Sequence, residues 1–297
     1  MSQIQPHFLD SLRLSSDNNF RLFNFSELAI MWLHLVTTWR SGIRSRALQS
    51  IAILAVLLMF AALLASKFSG RHPQTVALDV GLSGLRLVLA LLAVFWVHEL
   101  VSRENDRKTV FFTLAYPCGR GAYWFGRYAG IVSLLLVACL SMGGAVFGLV
   151  ALSGVEYQQF YSVHFGADFL GVLAACVLDS AVITAFTMLI ASFATTSLMP
   201  MASGLAFAFV ARSYGAVIAL LQDQQSGAAD LQEIQLPIVK TIGYLIPDLS
   251  LLDLRDLVLY GDNAAILLSG YGVAQSIAYG LVCLILSAWI FDRREFQ

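Results

Sequence analysis

Three ionisable residues interrupt runs that are otherwise hydrocarbon: Arg86, Asp179 and Arg212. A charge inside a membrane span is costly, so each needs a partner or a wet cavity. Asp179 and Arg212 stand about ten residues from the corresponding ends of consecutive apolar runs, which at 1.5 Å per residue puts both roughly 14–16 Å deep. On antiparallel helices they can meet as an ion pair that holds the two spans together, or they can line a polar path through the membrane. Arg86 lies nearer the end of its run and can snorkel outward or join them. Other patterns promise chemistry and fail. Gly81-Leu82-Ser83-Gly84 has the form of an intramembrane serine protease motif, but none of His7, His34, His72, His98 and His164 falls within a later span to serve as base. His98-Glu99 begins like a zinc helix, but Ser102 stands where the second histidine would be. No GxxxxGK[ST] occurs, so this chain has no P-loop for ATP. Cys118, Cys139, Cys176 and Cys283 are far apart and read as small apolar packing residues.

The elements that must carry these charges follow from composition. Of 297 residues 58% are hydrophobic and 12% charged, with mean hydropathy +0.75. Soluble domains carry roughly twice that share of charge, so this is an all-α polytopic membrane protein. The net charge of −1 argues against a nucleic-acid partner. Six spans are expected: 47–66, about 80–97, a run after Arg127, 169–194, 198–221 and 271–291. Thr195-Thr196-Ser197 and Pro200 mark the hairpin between the fourth and fifth. The domain reading is a cytoplasmic segment 1–24, an amphipathic interfacial helix 25–46 and a six-span domain 47–297. No signal peptide is visible, because the first long apolar run begins near Ile51.

In the 25–46 helix Leu28, Met31, Trp32, Leu35, Val36 and Trp39 recur at helical spacing, with Glu27, His34, Thr37, Thr38 and Ser41 opposite. Arg40, Arg44 and Arg46 pin its end to an anionic leaflet. The proposed inner segments hold twelve basic residues, among them Arg103, Arg107, Lys108, Arg120 and Arg127, against Lys67, Arg71, Lys240 and Arg255 outside. That bias puts both termini in the cytoplasm, in the inner (plasma) membrane. Gly126 with Gly130, and Gly144 with Gly148, are GxxxG pairs suited to close helix packing within one subunit or at a dimer seam. Residues 222–270 are too apolar for a wet loop and are expected to form two short interfacial or re-entrant helices on the outer face. After Pro247, Leu251, Leu252, Leu254, Leu257 and Val258 oppose Asp253, Arg255 and Asp256.

The segment 99–127 is the densest polar stretch. Asn105 or Asp106 can cap a short helix, with Val110, Phe111, Leu114 and Ala115 along one side, and Pro117-Cys118-Gly119 stops it. Its order Arg103-Glu104, Lys108-Thr109, Leu114, Pro117, Arg120, Tyr123, Gly126-Arg127, Gly130 resembles the loop before the third span of type-2 ABC exporter permeases. The resemblance implies a cytoplasmic coupling helix that docks on a separate ATPase, with Arg103, Glu104, Arg107, Lys108, Thr109, Phe111, Leu114 and Arg120 as the contact. It also implies an N-terminal elbow helix, an outer re-entrant element between spans five and six, and a second permease subunit, identical or related. ATP and magnesium would be bound by the partner subunit, and this chain would carry no cofactor or catalytic residue. Some members of that family pass mechanical work to a periplasmic partner instead of transporting. An ATPase-independent carrier or membrane enzyme ranks lower, since no catalytic set converges.

Overall fold

The computed structural model describes residues 25–69, 72–103, 120–153, 166–223, 247–260 and 264–293. Every regular element among them is helical. They are α1 (Phe25–Ile43), α2 (Arg46–Phe68), α3 (Pro73–Val97), α4 (Arg120–Ser153), α5 (Ala167–Phe193), α6 (Leu198–Asp223), α7 (Arg255–Tyr260) and α8 (Ala264–Arg293). A π-turn, His98–Ser102, continues α3, and a 3-10 turn, Leu249–Leu252, precedes α7.

Local sequence sets these boundaries. Ser45 caps α2, its Oγ accepting from the Leu48 amide at 3.1 Å. Proline opens α3, where a missing N–H costs nothing. Between α5 and α6 the Met199 amide donates to the Thr196 carbonyl at 3.3 Å, and Pro200 sits in the first turn of α6.

Among the described residues five helices are long and apolar enough to cross a membrane: Arg46–Phe68, Pro73–Ser102, Gly121–Leu152, Asp168–Phe193 and Gly270–Arg293. The chain is a multi-pass membrane protein. The remaining expected span, α6, is a helix of 26 residues that carries Arg212. Three boundaries differ from the reading of the sequence: α3 begins at Pro73, before Val80, α4 begins at Arg120, before Arg127, and α8 begins at Ala264, before 271. In each case the helix runs past the densest apolar run into mixed sequence.

α3 and α5 lie at the centre, with 67% of the most apolar stretch of each buried. α2 packs on α3 but is only 11% buried in its apolar window, and turns Ile53, Val56, Leu57 and Phe60 outward. An outward belt of this kind suits hydrocarbon as solvent.

α1 lies along α4 and turns part of its polar side, His34 and Thr38, toward the protein. His34 and Thr38 are buried, at 6% and 0% exposure, and Trp32 is 66% exposed. The reason is the Gly126–Gly130 pair. A Cβ at Gly126 would stand 2.9 Å from His34 Cβ, and one at Gly130 would stand 2.6 Å from Thr38 Cβ. The bare backbone of α4 is a notch that only short branches fit, so α1 docks through its small polar residues and leaves Trp32 outside. This pair therefore packs within one subunit. Gly144 and Gly148 meet nothing within 4 Å. The Trp39 indole then donates to Ser133 Oγ at 2.7 Å.

Gly130→Val should undock α1. Overfilling a tight site costs about 1–3 kcal/mol, and limited proteolysis in detergent should cut residues 25–43 faster in the variant. Gly144→Val, with open space around it, should behave as the native chain.

Candidate functional site

Asp179 is the centre of a charged cluster that runs from the middle of the bundle toward the end formed by the segment after Pro247. It lies in the middle of α5, fully buried. Its Oδ2 accepts from Arg86 Nε of α3 at 3.1 Å and from Arg212 Nε of α6 at 3.1 Å. Arg212 Nη2 also donates to this oxygen and, at 3.2 Å, to the Arg86 carbonyl. Arg86 therefore joins the pair; it does not snorkel away.

The cluster continues into the segment after Pro247. Arg86 Nη1 meets Asp253 Oδ2 at 2.8 Å, and Nη2 donates to the Leu249 carbonyl at 2.6 Å. Arg255 grips Asp253 with both arms of its fork, Nε to Oδ1 at 2.7 Å and Nη2 to Oδ2 at 2.8 Å. Arg255 Nη1 reaches Asp79 at 2.9 Å and Ser83 Oγ. Burial tends to raise the Asp253 carboxyl, but the hydrogen bonds and charges of Arg255 and Arg86 outweigh it and hold it below the usual carboxylate value. Three arginines and three aspartates thus neutralise one another. Two devices seat the turn: Asp248 Oδ1 accepts from the Ser250 amide at 3.0 Å, and Gly215 of α6 leaves room for Ser250 Oγ, with which a Cβ would collide.

The protease-like motif dissolves into this packing. Gly81 lies against Val146 and Gly84 against Leu58, while Ser83 Oγ donates to the Asp79 carbonyl at 2.7 Å.

At the other end of the bundle the two flanks of the 99–127 loop are held. Glu99 Oε2 accepts from the Ala47 amide at 3.2 Å, an acid at the N-terminus of α2. The Trp96 indole donates to Ser45 Oγ at 3.2 Å, and His98 Nδ1 to the Ser197 carbonyl at 2.9 Å. This flank therefore touches the α1–α2 junction and the α5–α6 turn together. On the far flank Tyr123 and Trp124 are buried; Trp124 stacks on Phe291 at 4.4 Å and donates to Ser287 Oγ at 2.8 Å, both on α8. Arg127 Nη1 donates to Thr38 Oγ1 at 3.3 Å.

Of the expected contact residues, Arg103 is exposed at the end of the π-turn and Arg120 is the first residue of α4. Glu104, Arg107, Lys108, Thr109, Phe111 and Leu114 lie outside the described residues. Arg86, Asp179 and Arg212 are brought together. Asp79, Asp253 and Arg255 were not expected among them, although the polar edge of the 251–258 pattern marked the last two.

A model of the family described as ABC-2 family transporter protein matches residues 35–296. The chain belongs to that family. It is a membrane subunit of an ABC transporter. It is similar to proteins named probable ABC transporter permease protein NosY, from Stutzerimonas stutzeri (30% identical over 128 residues, 40% of this chain and 46% of the relative) and from Pseudomonas aeruginosa (27% over 132 residues, 42% and 47%). The match spans a little under half the length of each relative.

Asp179→Asn should leave two guanidiniums in the bundle without their shared carboxylate. Breaking a buried ionic group costs about 3–5 kcal/mol, so the thermal unfolding midpoint in detergent should fall steeply. Asp256→Asn, at an exposed site on α7, should hold the native midpoint.

Burial, and then the charge of Arg127, lower the pKa of His34 from 6.5. An undocked α1 takes up a proton at the ordinary value and a docked one resists it, so docking weakens as pH falls through about 6.5. Hydrogen exchange in residues 31–43 should rise between pH 7.5 and 5.5 in the native chain and stay flat in His34→Gln.

Proposed function

We propose that this chain is the permease subunit of an ABC exporter, with α6 as its fifth span of six and residues 99–127 as the cytoplasmic coupling loop. Separate ATPase subunits bind ATP and magnesium, and a second permease subunit completes the membrane pore. α1 serves as the elbow helix. The family match over residues 35–296 carries this reading.

The geometry around the loop supports it. A push on residues 104–119 is received on one flank by Glu99, Trp96 and His98, which pass it to α2 and to the α5–α6 turn. The other flank passes it to α8 through Trp124. Rigid contacts of this sort are what coupling requires, together with two membrane states of similar energy. At the far end, the Arg86–Asp179–Arg212 cluster ties the moving spans to the segment 247–260.

That last connection favours a second reading, in which the chain passes mechanical work to a periplasmic protein resting on the outer segment. Under it ATPase activity would respond to that protein and not to a small substrate.

Co-expression with neighbouring ATPases, then purification in mild detergent, tests the proposal. One ATPase should co-purify. Arg107→Glu with Lys108→Glu should cut its recovery by about tenfold or more, equal to about 1.4 kcal/mol, with membrane insertion unchanged. Recovery equal to the native level would remove this loop from the coupling, and absence of every ATPase would overturn the reading.

A further inference from the structure

A cleft of about 880 Å³ lies between α5, α6 and α8, and none of the charged-cluster residues lines it. Its floor is an aromatic ladder. Phe186 of α5 stacks on Phe207 of α6 at 4.1 Å, and Phe207 on Tyr279 of α8 at 5.8 Å, the planes within 12° and 8° of parallel. Small residues, Ala206 and Ala278, give it depth, and both are exposed. Its walls are almost wholly apolar, with Gln275 near the Pro247 end and Ser203 on α6 among the few polar groups. Ser203 Oγ is already committed to the Met199 carbonyl at 2.9 Å.

We infer that this cleft binds one acyl chain of a membrane amphiphile, with the Gln275 carboxamide beside the polar end of that chain. Three observations select this occupant. The volume is in the range of small-ligand sites, roughly 300–1,000 Å³. The cleft's extent along α8, from Gln275 to Leu286, is about 16 Å at 1.5 Å per residue. That is half of a hydrocarbon core about 30 Å thick, the depth of one leaflet. A helix from a second copy would run the full thickness and pack against ridges, whereas this recess is short and flat-floored. An amide facing hydrocarbon costs free energy unless it is hydrogen-bonded, and an ester or hydroxyl at the head of the chain supplies the partner.

The source of the chain is either a resident bilayer lipid or a transported amphiphile. Both present the same chemistry to the cleft, so the experiment separates them. The chain and its co-purifying ATPase are placed in phosphatidylethanolamine–phosphatidylglycerol nanodiscs doped with a phospholipid whose palmitoyl chain carries a diazirine. After photolysis the labelled residues are mapped by mass spectrometry. Labelling at Phe207, Val210, Ala278 and Val282 should exceed that at the outward residues Ile53, Phe60 and Phe209 at least about fivefold. Ala206→Trp and Ala278→Trp should each abolish the excess, and Ile285→Trp, outside the cleft, should keep it. If a tryptophan variant fails to fold, Ala278→Leu and the native distribution decide. Labelling that falls during ATP turnover identifies a transported amphiphile, and labelling indifferent to ATP identifies a resident lipid; both uphold the site. Uniform labelling of all outward faces, no labelling of the cleft, or a disulfide between two copies through Ser203→Cys would overturn it. Loss of ATPase co-purification would instead strike the exporter reading and leave the cleft untouched.

Discussion

One fully buried carboxylate sets the terms for much of this bundle. Two guanidiniums from neighbouring helices converge on a single oxygen of Asp179. Two positive charges on one negative would leave an excess inside the protein, which a low-dielectric interior does not tolerate. Asp253 supplies the compensation to Arg86 and also binds Arg255, whose charge Asp79 balances in turn. The position of the segment 248–260 follows from this electrostatic need as much as from its apolar contacts through Leu249 and Leu252. The other oxygen of Asp179, Oδ1, is buried without a hydrogen bond.

Elsewhere the helices are joined by a different device. Three indoles, Trp39, Trp96 and Trp124, each donate to a serine hydroxyl on another element: Ser133, Ser45 and Ser287. In hydrocarbon the alternative for each indole N–H is no partner at all, so such bonds fix register between helices that the hydrophobic effect cannot order. Two of them flank the 99–127 loop. They tie the described flanks of that loop to the α1–α2 junction, through Trp96, and to α8, through Trp124.

The depth of Asp179 and Arg212 could be read from the sequence because both are counted from the ends of uninterrupted apolar runs. Helical rise then turns residue number into distance. The link from Arg86 to Asp253, or from Asp79 to Arg255, could not be read in this way. It joins positions more than 160 residues apart, with no periodic pattern between them. The amphipathic character of α1 was legible but its orientation was not. A hydrophobic stripe says which side avoids water, and beside a bilayer both lipid and protein satisfy it. The Gly126–Gly130 notch decided the matter, and its complement is steric, not hydrophobic. The extent of α3 and α8 was understated because a span's core is easier to see than its ends.

The saturation of the charged cluster bears on where a substrate could pass. An export path lined by Arg86, Asp179 and Arg212 would need at least one of them to present free charge to a ligand. Each is instead engaged by an opposite charge at 3.1 Å or less. The cluster so arranged is a clamp between α3, α5, α6 and the 248–260 segment, and a polar solute would have to break several ion pairs to use it. The surfaces left open to a passenger are apolar: the cleft floored by Phe186, Phe207 and Tyr279, and the outward faces of α2 and α8. Among the described residues the charges thus close on one another inside the bundle, and the aromatic-floored recess is where the inferred acyl chain would rest.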